Sequence, residues 1–188
     1  MQKTEQKIRL AARMRQSAEE VSRVGSLAGA GVLAALGIVI KSMTITFGQL
    51  FRFGFTYLST ALSGYLYGPL VAGLMGMVVD VLGFLLRPTG PYFFGFTLNA
   101  FISGCLYGIF LYRQPVKLFR CFLACASSMA VVSFLLNPLW LHIMYGDAWV
   151  ALVVMRLVPN AIILPVNTMV LYGLLRVVER YKSYLPRR

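Results

Sequence analysis

Six apolar runs, at roughly residues 25–41, 55–67, 69–86, 95–112, 119–143 and 149–176, constrain this chain more than any other feature of its sequence. A helix that crosses a bilayer needs about 20 apolar residues, within a range near 17–25. The second run is short, which leaves room for its helix to begin earlier, inside the polar stretch from Lys41 to Gly54. The remaining breaks are compact: Tyr67-Gly68-Pro69, Arg87-Pro88-Thr89-Gly90-Pro91, Arg113-Gln114-Pro115 and Tyr145-Gly146-Asp147. Of the 188 residues 59% are hydrophobic and only 13% charged, against about a quarter charged in soluble domains. A soluble fold of this size has no place to hide that much apolar surface, so a bilayer is the natural solvent. The expectation is an all-α membrane protein with six transmembrane helices in one domain, residues 25–178. A basic segment, 1–24, and a basic tail, 179–188, flank it.

The formal net charge of +12 raises nucleic acid as a partner, and the distribution of charge argues against it. Fourteen of the eighteen basic residues lie in the amino-terminal segment, in the Arg113–Arg120 break or from Arg176 onward. An even number of spans puts all three clusters on one side, as the positive-inside rule requires of a cytoplasmic face. Both termini are therefore expected in the cytoplasm of a multi-pass cell-membrane protein. The polar first 24 residues do not resemble a cleaved signal peptide. Ile8, Ala11, Ala12 and Arg15 at helical spacing instead fit an interfacial amphipathic helix. Cys105, Cys121 and Cys125 fall in apolar runs without His or carboxylate neighbours, which points to packing rather than a metal site.

Polar residues at membrane depth carry the functional signal. Arg156, Asn160 and Asn167 share one helix face, Asn99, Ser103 and Tyr107 another, and Ser133, Asn137 and Trp140 a third. With the expected topology nearly all belong to the outer half of the bundle. Buried amides without partners cost about 1–3 kcal/mol each, and charges at lipid depth cost about 2.5–3.5 kcal/mol. A one-sided set on converging faces points to a polar pocket; interhelical hydrogen bonds that merely hold the bundle are the alternative. Pro138, Pro159 and Pro165 stand within two residues of Asn137, Asn160 and Asn167. Backbone groups freed by proline are tolerated at this depth where they line a cavity. The outer breaks add Phe47, Phe51, Phe53, Phe55, Tyr92, Phe93, Phe94, Phe96, Tyr145 and Trp149. Arg52, Arg87 and Arg156 are, with Lys41, the basic residues off the cytoplasmic side. Guanidinium binds carboxylate bidentately and stacks on rings, so a flat, aromatic, anionic solute fits.

Enzyme chemistry finds no footing. No G-x-x-x-x-G-K-[ST], H-E-x-x-H or G-x-S-x-G occurs. His142 is the sole histidine, and Asp80, the one carboxylate well inside a run, has Arg87 seven residues on as its natural partner. No metal or cofactor is expected.

Small residues mark helix contacts in lipid. Ala30 and Ala34, Ala72 and Gly76, and Gly104 and Gly108 each stand four apart. The Ala30–Ala34 face, together with the size, the expected topology, Tyr67-Gly68-Pro69 and the Asp80 after it, makes the chain resemble the substrate-binding S components of energy-coupling factor (ECF) transporters, over roughly residues 27–178. The stretch RPTGPYFFGFTLNAFISG, Arg87 to Gly104, is similar to the folate-specific branch.

The resemblance implies capture of folate from outside. The pocket would lie at the outer ends of the fourth to sixth helices, capped by the loops after the first and third. It also implies docking, through Ala30 and Ala34 of the first helix, onto a transmembrane coupling protein driven by two cytoplasmic ABC-type ATPases. On that basis Ala34→Trp abolishes uptake and spares binding. Asn99, Asn137 and Asn160 are assigned the pterin edge, with stacking from Phe94 or Trp140. Arg52, Arg87 or Arg156 take the glutamate carboxylates, and Tyr92, Thr97 and Asn167 stand as second choices. An S component for riboflavin or pantothenate, a membrane adaptor and a proton-coupled carrier relying on Asp80 are the competing readings.

Overall fold

The computed structural model describes residues 16–42, 45–47, 51–88, 92–146 and 149–184, with the side chains of 45–53, 147–152, 155 and 182–184 excepted. The amphipathic pattern at Ile8–Arg15 lies outside the described residues. Residues 16–21 are helical. Then follow α1 (Val24–Ser42), β1 (Ile45–Phe47), β2 (Phe51–Phe53), α2 (Thr56–Tyr67), α3 (Pro69–Leu86), α4 (Phe94–Leu111) and α5 (Leu118–Ser128). A π-helical stretch, Met129–Leu136, carries α5 into α6 (Asn137–Tyr145), and α7 (Trp149–Tyr184) ends the described chain. Among the described residues, five helical segments are long and apolar enough to cross a membrane: Val24–Ser42, Pro69–Leu86, Phe94–Leu111, Leu118–Tyr145 and Arg156–Tyr181. The chain is a helical membrane protein.

The second apolar run forms α2, which has 12 residues and a rise of about 18 Å. The expectation that this helix reaches back into Lys41–Gly54 is corrected. That stretch holds an antiparallel hairpin instead, with Ile45 opposite Phe53 and Phe47 opposite Phe51. Alternating Ile45-Thr46-Phe47 and Phe51-Arg52-Phe53 carry the β-branched and aromatic residues that strands favour.

Two close approaches set the bundle. A Cβ on Gly76 would press on the Ala100 carbonyl, and one on Gly104 would lie 2.7 Å from the Gly73 nitrogen. The Ala72/Gly76 and Gly104/Gly108 stripes thus face each other along α3 and α4, and Gly64 of α2 meets Gly108 from the other side. Lipid supplies no hydrophobic drive between helices, so contact of this closeness supplies the attraction. The α2–α3 corner needs glycine at 68, where φ is +93°, and Pro69 begins α3 where no N–H is missed. The buried Ser17 hydroxyl braces that corner, donating to the Tyr67 carbonyl at 3.2 Å and accepting from Leu70 N–H at 3.1 Å.

Arg113 donates to Gln16 at 3.1 Å and the Val116 N–H to Glu179 at 3.3 Å. Both described ends of the chain therefore lie at one end of the bundle. There Tyr65, Tyr107, Leu111, Cys121, Cys125, Leu171 and Leu175 form the main packed core. Cys121 and Cys125 are buried and unbonded to one another, in keeping with packing.

Ala30 and Ala34 are 6% and 7% exposed, and Ala34 packs with Met75 and Val79 of α3. The expected docking face is therefore an internal helix contact. Gly31 and Ala35, one position on and about 100° round the helix, are the exposed small pair.

Candidate functional site

Opposite the packed core, the bundle opens into two adjoining cavities of about 390 and 740 Å³, within the range of small-molecule sites. They share Lys41, Asp80, Gly83, Arg87 and Asn99, so they are two lobes of one space. Phe84, Tyr92, Phe93, Phe96 and Tyr145 wall the smaller lobe, with Asn137 at its side. Thr56, Tyr57, Thr60 and Ser103 line the larger one. The helix pattern explains the position: the small-residue stripes close α3 and α4 together further in, while bulky aromatics at the start of α4 stand at the cavity end.

Two hydrogen-bond systems organise the walls. Lys41, at the end of α1, donates to Asp80 Oδ1 at 2.7 Å and to its backbone carbonyl at 3.1 Å. Thr97 Oγ1, almost fully buried, donates to Asp80 Oδ2 at 2.9 Å. Thr97 has one hydroxyl hydrogen and gives it to the carboxylate, so the Tyr92 hydroxyl 2.7 Å away must donate to Thr97. In the second system Trp140 Nε1 donates to Asn99 Oδ1 at 3.0 Å, and Asn99 Nδ2 donates to Asn137 Oδ1 at 2.7 Å. Phe93 lies against Trp140 with ring centroids 5.6 Å apart, and Phe84 against Tyr92 at 5.1 Å. With Lys41 and Arg87 against Asp80, the described lining carries one net positive charge, which favours an anionic solute.

The expected Asp80–Arg87 pair does not form. Seven residues along α3 put the Arg87 side chain beyond the helix end, where it donates to the Ser42 carbonyl. Lys41, from a different helix, reaches Asp80 first. Tyr92, Thr97, Asn99, Asn137 and Trp140 come together as one neighbourhood, and Arg87 stands at its mouth. Phe94 is 63% exposed and outside the lining; Phe93 and Phe96 occupy the inner wall instead. Arg156 and Asn160 are half-buried on α7 and line neither lobe. Asn167 lies deeper, its carbonyl accepting from Tyr57 at 3.4 Å. The Arg52 backbone sits in β2, and its side chain lies outside the described residues.

The space is thus lined by α1 to α4, the π-helical stretch and α6: the expected fourth and fifth spans take part, the sixth does not, and the first three helices contribute as well. The amino-terminal part of α7 turns Val154, Leu157, Val158 and Ile162 away from the bundle at 55–64% exposure, while its buried Thr168, Leu171 and Leu175 lie further along. Its packing is therefore concentrated at the other end. Residue-by-residue reasoning missed Lys41 and Asp80 as site residues. The available signal was that each stands alone: one lysine away from every basic cluster, and one carboxylate inside a run.

A family model described as the ECF transporter substrate-specific component matches residues 26–175. The chain is similar to the folate transporter FolT of Clostridium novyi (strain NT), 42% identical over 129 residues covering 69% of this chain and 75% of that protein. It is also similar to the folate transporter FolT of Leuconostoc mesenteroides subsp. mesenteroides, 28% identical over 150 residues covering 77% and 80% respectively. Among solved structures it is similar to FolT bound with folic acid, with a TM-score of 0.74 and 36% identity, over 81% of this chain and 93% of that one.

Proposed function

The chain belongs to the substrate-specific components of ECF transporters, and from that premise we propose that it is the subunit that captures folate and hands it to an ATP-driven importer. The observation that carries this reading is the two-lobed cavity at one end of the bundle, in a chain 36% identical to a protein solved with folic acid. Folate is flat and heteroaromatic at one end and carries two carboxylates at the other. The smaller lobe offers ring faces from Phe93, Phe96 and Tyr92, with amide donors and acceptors at the edge. Arg87 and Lys41 offer cations, and a guanidinium at the mouth suits carboxylates that stay partly hydrated.

No bond is made or broken in this role; the residues select, orient and desolvate. Six crossings, with α2 as the short one, would set the cavity outside and the basic clusters in the cytoplasm of a cell-membrane protein. Docking onto a transmembrane coupling protein, driven by two ATPases, would supply the energy for release inward. The exposed Gly31–Ala35 face of α1 would let a partner helix approach closely.

The test is calorimetric titration of the purified, detergent-solubilised chain with folate, riboflavin and pantothenate. Saturable binding of folate alone, near one per chain, is expected. Binding of a control instead removes the folate assignment and keeps the transport role. Binding of none by a folded, monodisperse sample removes both.

A further inference from the structure

The hydrogen bonds around Asn99 hold information about which ligand edge the cavity accepts. Turning an asparagine amide by 180° exchanges its Nδ2 donors for its Oδ1 acceptor with almost no change of shape. A freely turning amide therefore suits either hydrogen-bonding pattern. Here the turn is blocked. The indole of Trp140 can only donate, so the atom 3.0 Å from its Nε1 must be the oxygen of Asn99. That leaves Asn99 Nδ2 facing Asn137 at 2.7 Å, and the atom it meets must accept. Asn137 is thereby held with Oδ1 toward Asn99. It lines the smaller lobe, and its Nδ2 makes no hydrogen bond to another described residue. Asn99 itself is 5% exposed. The Trp140 ring is held in place by Phe93, and a Cβ on Gly95 would crowd both rings.

We propose that Trp140 is a positioning residue that locks the amide polarity of Asn99 and Asn137. The cavity then offers a donor from Asn137 and selects rings bearing a carbonyl over rings bearing an amino group at the same place. The inference rests on folate as the ligand and deepens that reading. The pteridine ring of folate carries a 4-oxo acceptor beside an N3–H donor. In a 4-amino analogue the order is reversed, with a donor beside an acceptor. A free carboxamide would pair with either ring by turning over. A locked one pairs with the first alone, because turning Asn137 would set its Nδ2 against that of Asn99. Turning both would set an Asn99 donor against the indole N–H.

The test is titration of the full-length chain in detergent with folate and with its 4-amino analogue, for the parent protein and for Trp140→Phe. Phenylalanine keeps a ring against Phe93 and removes the N–H. Trp140 does not line either lobe, so no direct ligand contact is deleted. The parent is expected to prefer folate by about tenfold or more, the effect of one mismatched buried hydrogen bond. In Trp140→Phe the preference should fall to within about threefold, chiefly because the analogue binds better. A purely structural role for Trp140 would weaken both ligands together and leave their ratio unchanged, overturning the proposal. Equal affinities in the parent would overturn it as well, while leaving folate as the ligand. A parent that binds neither compound overturns the folate reading itself. Should Trp140→Phe not fold, Trp140→Leu removes the same N–H from outside the lining and is judged by the same ratio.

Discussion

Asp80 shows how one side chain can join two tasks. Its carboxylate accepts from Lys41 and Thr97, and through Thr97 it fixes Tyr92 at the cavity wall. The Lys41–Asp80 side chains are 31% and 21% exposed, between the nearly worthless surface pair and the fully buried one. Removing one partner leaves the other charge poorly solvated, and Asp80→Leu should lose about 1–3 kcal/mol of stability. Lys41→Met together with Asp80→Leu should recover most of that loss, because no unpaired charge remains. Thermal unfolding in detergent checks both. A double variant no more stable than Asp80→Leu would show that the pair matters for something other than charge balance. For binding, Asn137→Ala should lower folate affinity about tenfold or more, whereas Asn160→Ala, outside the lining, should stay within about twofold. Equal losses in the titration would bring α7 into the site.

At the scale of helices, glycine placement separates contact faces from lipid-facing ones. Gly104 has no room for a Cβ, being pressed against Ala72 and Gly73, while Gly31 has open space around it. Gly104→Ala should therefore destabilise the bundle by about 1–3 kcal/mol by forcing α3 and α4 apart, and Gly31→Ala should change stability by less than about 0.5 kcal/mol. Equal unfolding midpoints for the two variants would contradict the interlocking of α3 with α4. The 8-residue π-helical stretch before Asn137 belongs to this scale as well. Its wider turns set the angle at which α6 presents Asn137 to Asn99, and π-turns are often found at functional sites. No periodicity in MAVVSFLL announces it, since an α-helix and a π-helix of almost wholly apolar residues read alike.

The whole molecule divides into a packed end and an open end, and docking would use the outside of both. Ala35→Trp places a large ring on the exposed face of α1 and should abolish uptake in vesicles carrying the coupling module, with folate affinity unchanged. Ala34→Trp, by contrast, must displace Met75 and Val79 and should fail at the level of folding, seen as loss of monodisperse protein. Normal uptake by Ala35→Trp would move the docking surface off this face of α1.

Bilayer solvation made most of this architecture legible in one dimension. Apolar runs long enough to cross, broken by Gly-Pro corners, locate α1, α3, α4 and α7 within a few residues at their starts, because unsatisfied backbone in lipid permits little besides helices. The pairing of Ala72/Gly76 with Gly104/Gly108 follows from the same logic, since small residues in lipid have little other use. The polar residues of α4 and α6 were visible for the complementary reason that their burial must be repaid by partners. What the sequence could not decide is which partner each one finds. Lys41 rather than Arg87 takes Asp80, Phe93 rather than Phe94 turns inward, and Gly31–Ala35 rather than Ala30–Ala34 faces outward. In each case the alternatives differ by one helix position or by a reach between helices distant in sequence. Rotation of a helix about its axis is set by the neighbours it packs against, and only the tertiary structure holds those neighbours in place.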